Sequence, residues 1–366
     1  MAERTEAELD EIFERIAGAK HGRRCDPNLM PLGSPFAAML ERHRRNVDSW
    51  LKGVRALHTP NMYPVYFGYV ENPQKNAFTF VAENHGFIGV YVGTMVSIYS
   101  FFSHLLAHSD FLAMIGDPRV EDKWTSFDPT EVTRRPKDPA RASFASLLTT
   151  IAIDYLFAHE IGHLMNGHVE LARLKTGNMV FCEFDAARKR EEENLTSQTL
   201  EMDADAFATT QGLSTAIGRA SNPKAIFPDE WRAWYSTTDF ALFVWILAIY
   251  SFFRLFFGVE PRFDAPLSSS HPPPNIRLSM IISTSVAYLV RRESEEPIKK
   301  LDSILAEVVP TIEKVYALWT STPVNDIGIR TTMDDRTAEY TGVLLAHWKT
   351  LRPQLLPLVR GGNLAD

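Results

Sequence analysis

Residues 147–165 read LLTTIAIDYLFAHEIGHLM, an apolar run of helical period that carries two histidines and a glutamate. A third histidine, His168, follows within the stretch AHEIGHLMNGH. Polar side chains in such a run resist burial unless each finds a partner. Any fold that buries this helix must therefore bring something to His159, Glu160 and His163.

The spacing says what that partner is. On an α-helix residues four apart differ by about 40° in direction, so the imidazoles of His159 and His163 converge on one point. Glu160 lies about 100° around from His159, placed to hold a water rather than to ligate. HExxH thus supplies two metal ligands and a base. The plainer alternative is a helix with two half-exposed histidines. A catalytic zinc site needs a third protein ligand beside an open position. Continued as helix, His168 points about 140° away from His163 and would have to bend back through Gly167, so it reads as structural. Asn166 and Val169 stand where HExxHxxGxxH needs glycine and histidine, so the metzincin pattern fails.

Forty residues on, TSQTLEMDADAFATT offers a better ligand. Glu201 and Asp205 are four apart on a helical pattern and share a face. With Asp203, they would repel one another beside alanine and phenylalanine unless a cation offsets them. Glu201 is the candidate third ligand, and Asp205 is placed to accept the second N–H of a ligating imidazole. A solvated acidic face is the plainer alternative.

The order of these motifs resembles the gluzincin metallopeptidases of the HtpX and CAAX prenyl protease type, in which HExxH is followed by ExxAD. Here the residues are His159-Glu160-Ile161-Gly162-His163 and Glu201-Met202-Asp203-Ala204-Asp205. Asn76-Ala77-Phe78 followed by GFIGVYVG, and SSSHPPPNIRLSMI with His271 and Arg277, are similar to two further family signatures. The four features span residues 76–277. The resemblance implies a Zn²⁺ cofactor held by His159, His163 and Glu201, and peptide-bond hydrolysis by a zinc-bound water that Glu160 deprotonates. It implies His271 as a donor to the oxyanion or as a cap on the zinc, and Arg277 as a partner of Asp205 or an acidic neighbour. It also suggests that Asn76, Ala77, Phe78, Ile88, Gly89 and Val90 bind substrate, with the strand at Phe87 to Val92 as a peptide-binding edge. A core strand, and a loop histidine held by prolines, are the plainer alternatives for that strand and for His271. The family's multiple membrane spans are absent, so a soluble relative is the closer likeness.

Around this core, periodicity predicts two helices within 6–58 and β-prone runs at YPVYFGYV, AFTFVA and GFIGVYVG. A helical pattern over 95–112 precedes a polar, Pro-rich loop at about 113–142. Helices follow at about 143–168, 195–217 and 229–257, with two more between 295 and 355. The expected fold class is α+β, mainly helical: a zincin-like core with a small mixed sheet packed on the HExxH helix, and extra helices at both ends. The expected division is an N-terminal helical extension (1–70), a metallopeptidase domain (71–290) and a C-terminal helical extension packed on the core (291–366).

FALFVWILAIYSFFRLFFG, residues 240–258, is apolar for 14 residues before Arg254, short of the ~20 a span needs. The resemblance places Glu201 and His271, on either side of it, at one ion, which a single crossing would forbid. A core helix is favoured, with membrane-peripheral association left open. A net charge of −7 argues against nucleic acid as a partner. Two distant cysteines and an N-terminus without an apolar leader point to a cytoplasmic setting. The expected partner is a protein or peptide substrate. The rival functions are a narrow intracellular processing or phage-defence protease with a single target, and a non-catalytic zinc protein that binds a partner.

Overall fold

The computed structural model describes residues 4–30, 34–57, 62–123, 134–177, 180–182, 191–226, 229–256, 269–292 and 296–366. Among the described residues, twelve α-helices and five strands follow the chain as α1 (Glu6–Phe13), α2 (Ala19–His21), β1 (Arg24–Cys25), α3 (Pro35–Leu57), β2 (Val65–Val70), β3 (Ala77–Ala82), β4 (His85–Tyr91) and α4 (Val92–Leu106). Then come α5 (Pro139–Met165), α6 (His168–Thr176), β5 (Val180–Cys182), α7 (Glu191–Ser221), α8 (Thr238–Phe256), α9 (Pro274–Arg291), α10 (Pro297–Thr320), α11 (Ile327–Arg330) and α12 (Asp335–Leu355). The fold is mainly helical with one small mixed sheet, as the patterning predicts.

The sheet runs β1-β2-β4-β3-β5, with β2 parallel to β4 and the other pairs antiparallel. Its alternation separates two cores. Phe78, Phe80, Phe87 and Tyr91 pack with Ile12 and Phe13 of α1 on one face. Phe67, Tyr69, Ile88 and Val90 join the larger helical core on the other. β1 and β2 come from the segment expected as an N-terminal extension, yet β2 pairs along its whole length with β4.

This topology overturns the expectation of a peptide-binding edge at Phe87 to Val92. β4 is central: β2 takes one row of its main-chain groups and β3 the other, leaving none for an added strand. Ile88, Gly89 and Val90 are buried there, and Val92 already begins α4. Ala77 and Phe78 are buried in β3, while Asn76 exchanges hydrogen bonds with Thr94 at the turn into it. A strand apolar on both faces is an interior strand, which is what its composition said.

α5 is started by Asp138, which accepts from Arg141 N–H at 2.9 Å, with Pro139 in the first turn. The loop expected over 113–142 is therefore shorter at its C-terminal end, and its residues 124–133 lie outside those described. Its preceding stretch is gathered by the buried Arg141 guanidinium, which donates to the carbonyls of Leu106, His108, Phe111, Leu112 and Ile115. Of the charged DAARKREEEN stretch, 185–190 lies outside the described residues, and the rest opens α7. α9 was not anticipated.

α5 and α8 are long and apolar enough to cross a membrane by length and composition, but 83% of the apolar stretch of α8 is buried inside the protein. α5, α7 and α10 pack against it. α12 lies along α7 and α9, where Tyr340, Leu344, Trp348 and Leu351 form a third cluster with Leu200 and Ile276.

Candidate metal centre

The centre forms where α5 and α7 run side by side. Small residues permit the approach: a Cβ on Gly162 would stand 3.4 Å from the Cα of Ala204. His159 and His163 of α5 then face Glu201 of α7. The two Nε2 atoms are 3.0 Å apart, and Glu201 Oε2 and Oε1 lie 3.3 Å from His159 Nε2 and 3.5 Å from His163 Nε2. One ligand atom from each residue falls within 4.8 Å of the others, the separation a single ion spans.

The donors fit a divalent metal. Glu201 is fully buried, and neither of its oxygens accepts a hydrogen bond among the described residues. A carboxylate in that condition costs several kcal/mol unless a cation meets it, and Arg277 Nη2, 3.8 Å from Glu201 Oε2 and already donating to Asp205, meets it only in part. Burial, reinforced by neighbouring His159, holds His163 well below its ordinary pKa, so its imidazole is neutral and keeps a lone pair for ligation. Two imidazoles and a carboxylate form a ligand set suited to zinc.

Each histidine is held from behind. Asp205 Oδ1 lies 3.0 Å from His159 Nδ1, and Arg277 grips both Asp205 oxygens at 2.7 Å. Burial alone would raise the Asp205 pKa, but the Arg277 guanidinium and the His159 ring together outweigh it and hold the carboxyl below its ordinary value. Tyr155 O–H, one turn before His159, donates to the same carboxylate at 3.1 Å. On the other side Gly167, at φ 79°, turns the chain sharply and starts α6 with His168. That turn brings His168 Nδ1 to 2.9 Å from His163 Nδ1 and its Nε2 to 3.0 Å from Asp203 Oδ2. With Nε2 of His163 facing Glu201, the consistent tautomers have His163 Nδ1–H donating to His168, and His168 Nε2–H donating to Asp203. Asp203 also accepts from the side chain of Asn166 and, at 2.7 Å, from Ala365 N–H.

His271 stands at the open side. Its Nε2 is 3.6 Å from Glu201 Oε1, its Nδ1 is 3.0 Å from Ser270 Oγ, and its side chain is 13% exposed where the histidines of α5 are sealed. Glu160 is buried beside them. The structure thus brings together His159, Glu160, His163, Glu201, Asp205, His271 and Arg277, and leaves Asn76 to Phe78 and Ile88 to Val90 in the sheet. Sequence reasoning missed Tyr155, although it sits four residues before His159 on the same helical face. It also missed the role of Asp203, whose direction two residues from Glu201 leads to α6 and the tail.

No curated protein and no solved structure matches the chain. Residues 106–287, just under half of the chain and including every residue of the cluster from Tyr155 to Arg277, match the family model Peptidase U49. The match supports a peptidase family, a coarser assignment than the likeness to the HtpX and CAAX prenyl protease type.

Proposed function

We propose that this protein is a zinc-dependent metalloendopeptidase, gluzincin-like in its ligands, that hydrolyses peptide bonds of proteins or peptides in the cytoplasm. The observation that carries the reading is the buried Glu201 carboxylate, without a hydrogen bond, set against the Nε2 atoms of an HExxH pair. His159, His163 and Glu201 would hold the ion, which when bound acidifies water and polarises the scissile carbonyl.

The remaining steps belong to the protein. Glu160 accepts the proton of the attacking water and returns it to the leaving amine. His271, on the accessible side of Glu201, donates to the oxygen on which negative charge develops, a contribution typically worth about 100-fold or more in rate. Asp205 and His168 fix the ring orientation of the two ligating histidines from behind.

Glu160→Gln tests the assignment, because it keeps the shape of the side chain and removes the base. Cleavage of a peptide library should fall by about 100-fold or more, while metal content stays near one zinc per chain. A wild-type chain that cleaves nothing in the library, or a metal ratio well below one that added zinc does not restore, would contradict it.

A further inference from the structure

A second chamber lies one turn back along α5, on a different side of that helix from Glu160. It is a pocket of about 340 Å³, partly open to solvent, lined by α3, α5, α7, α8 and the segment Asp229–Tyr235. That volume is within the range of small-molecule sites. Its walls are rich in aromatic rings: Trp50, Phe157, Trp231 and Trp245. Gly212 on α7 lets the Trp245 indole lie close against the helix, since a Cβ there would stand 2.3 Å from its Nε1.

Two opposite charges line this space and attract each other across it without closing into an ion pair among the described residues. Asp154 is 40% exposed and makes no hydrogen bond among the described residues; Nε2 of the His43 ring stands 3.8 Å from its Oδ1. Arg219, two helices away in the chain, donates once to Tyr235 O–H at 3.1 Å and forms no ion pair with Asp154 among the described residues. A carboxylate and a guanidinium that line one pocket without contact, among aromatic rings and the polar side chains of Asn46, Ser49, Gln211 and Thr215, are complementary to one class of small molecule. An amine alone would leave Arg219 unmatched, and a carboxylate alone would leave Asp154 unmatched. A zwitterion with a bulky apolar side chain satisfies both and fills the aromatic space.

We propose that this cavity binds a free α-amino acid with an aromatic side chain, its ammonium on Asp154 and its carboxylate on Arg219. The site does not depend on the peptidase reading, although Tyr155 is shared: it lines the cavity and its hydroxyl bonds Asp205 behind His159. Three of the lining residues are tryptophans, so occupancy reports itself in intrinsic fluorescence.

The test is titration of the full chain with phenylalanine, phenethylamine and 3-phenylpropanoate, followed by tryptophan fluorescence and calorimetry. Phenylalanine should bind saturably at one site per chain, and each analogue, lacking one charge, should bind about tenfold or more weakly. Asp154→Asn should weaken phenylalanine by a similar factor and leave 3-phenylpropanoate unchanged. Arg219→Gln should do the converse with phenethylamine. Absence of saturable phenylalanine binding, an analogue that binds as tightly as phenylalanine, or indifference to both substitutions in folded variants would overturn the proposal. Should either variant fail to fold, the ligand comparison on the wild-type chain decides alone.

Discussion

Arg277 carries much of the candidate centre's stability, since it pairs with Asp205 and lies 3.8 Å from Glu201. Its guanidinium is buried, holds Asp205 with a two-pronged contact, and lies 5.2 Å from the centroid of the Phe253 ring. Arg277→Leu leaves Asp205 ionisable, buried and without its cation. Removing one partner of such a pair typically costs about 3–5 kcal/mol, which a urea denaturation midpoint measures directly. A second residue ties stability to pH. Burial depresses the pKa of His43 to about 3, and its Nδ1 is 3.0 Å from the Tyr69 hydroxyl, which donates to Leu40 O. The unfolded chain takes up this proton near the ordinary value of about 6.5 and the folded chain does not. The contribution is therefore fully present above pH 6.5 and is lost as pH falls towards 3, at up to about 1.4 kcal/mol per pH unit. Asp154, whose carboxyl opens into the pocket but is desolvated by the core around it, is pushed up to about 6 against the pull of Arg219, and opposes part of this by binding a proton in the folded state. His43→Asn should flatten the acid limb of a stability-against-pH curve. At this scale the sequence was most legible where geometry follows from spacing, as for His159 and His163 or Glu201 and Asp205. Tyr155 and Asp203 were illegible because their roles depend on which helix lies opposite.

Helices that bury a clean apolar stripe, such as α3 and α10, were legible from period, and α8, buried on every side, from its unbroken apolar run. α9 was not, because its buried face carries Asn275, Arg277 and Ser285 among Ile276, Ile281 and Leu289, and polar residues on the inward side erase the apolar period. The strands were legible as strands, but their order was not: chain sequence gives β2, β3, β4, whereas β4 sits between the other two. Local patterning cannot distinguish an edge from a centre when pairing is set by long-range contacts. Gly89 shows how firmly that centre is packed. A Cβ there would stand 2.3 Å from Cζ of Phe78 on the neighbouring strand. Gly89→Ala should thus lower stability by about 1–3 kcal/mol through overpacking, with zinc stoichiometry unchanged. A loss of metal at full stability would instead place β4 in the site.

Across the whole molecule, the tail links distant parts of the fold to the candidate metal ligands. Arg360 N–H and Gly362 N–H both donate to Met165 O at the end of α5, at 2.7 and 3.2 Å, while Leu364 packs into the cluster beneath α12. Ala365 N–H then closes on Asp203, whose other oxygen faces His168, which in turn faces His163. No sequence pattern announces this connection, because it joins residues separated by 162 positions through a main-chain donor. Two variants separate its packing role from its orienting role. Truncation after Leu358 strips Met165 O of both donors and removes Leu364, so thermal stability and zinc affinity should both fall. Ala365→Pro removes the N–H that Asp203 accepts while keeping the Ala365 carbonyl to which Trp348 and Arg352 donate. If Asp203 orients His168 and through it the His163 ring, zinc affinity in a chelator competition should drop by about tenfold in that variant, the range seen when outer partners of metal ligands are lost. Stability without metal should change far less than in the truncated chain. Unaltered zinc affinity in Ala365→Pro would assign the tail to packing alone and leave the histidine pair to hold its own geometry.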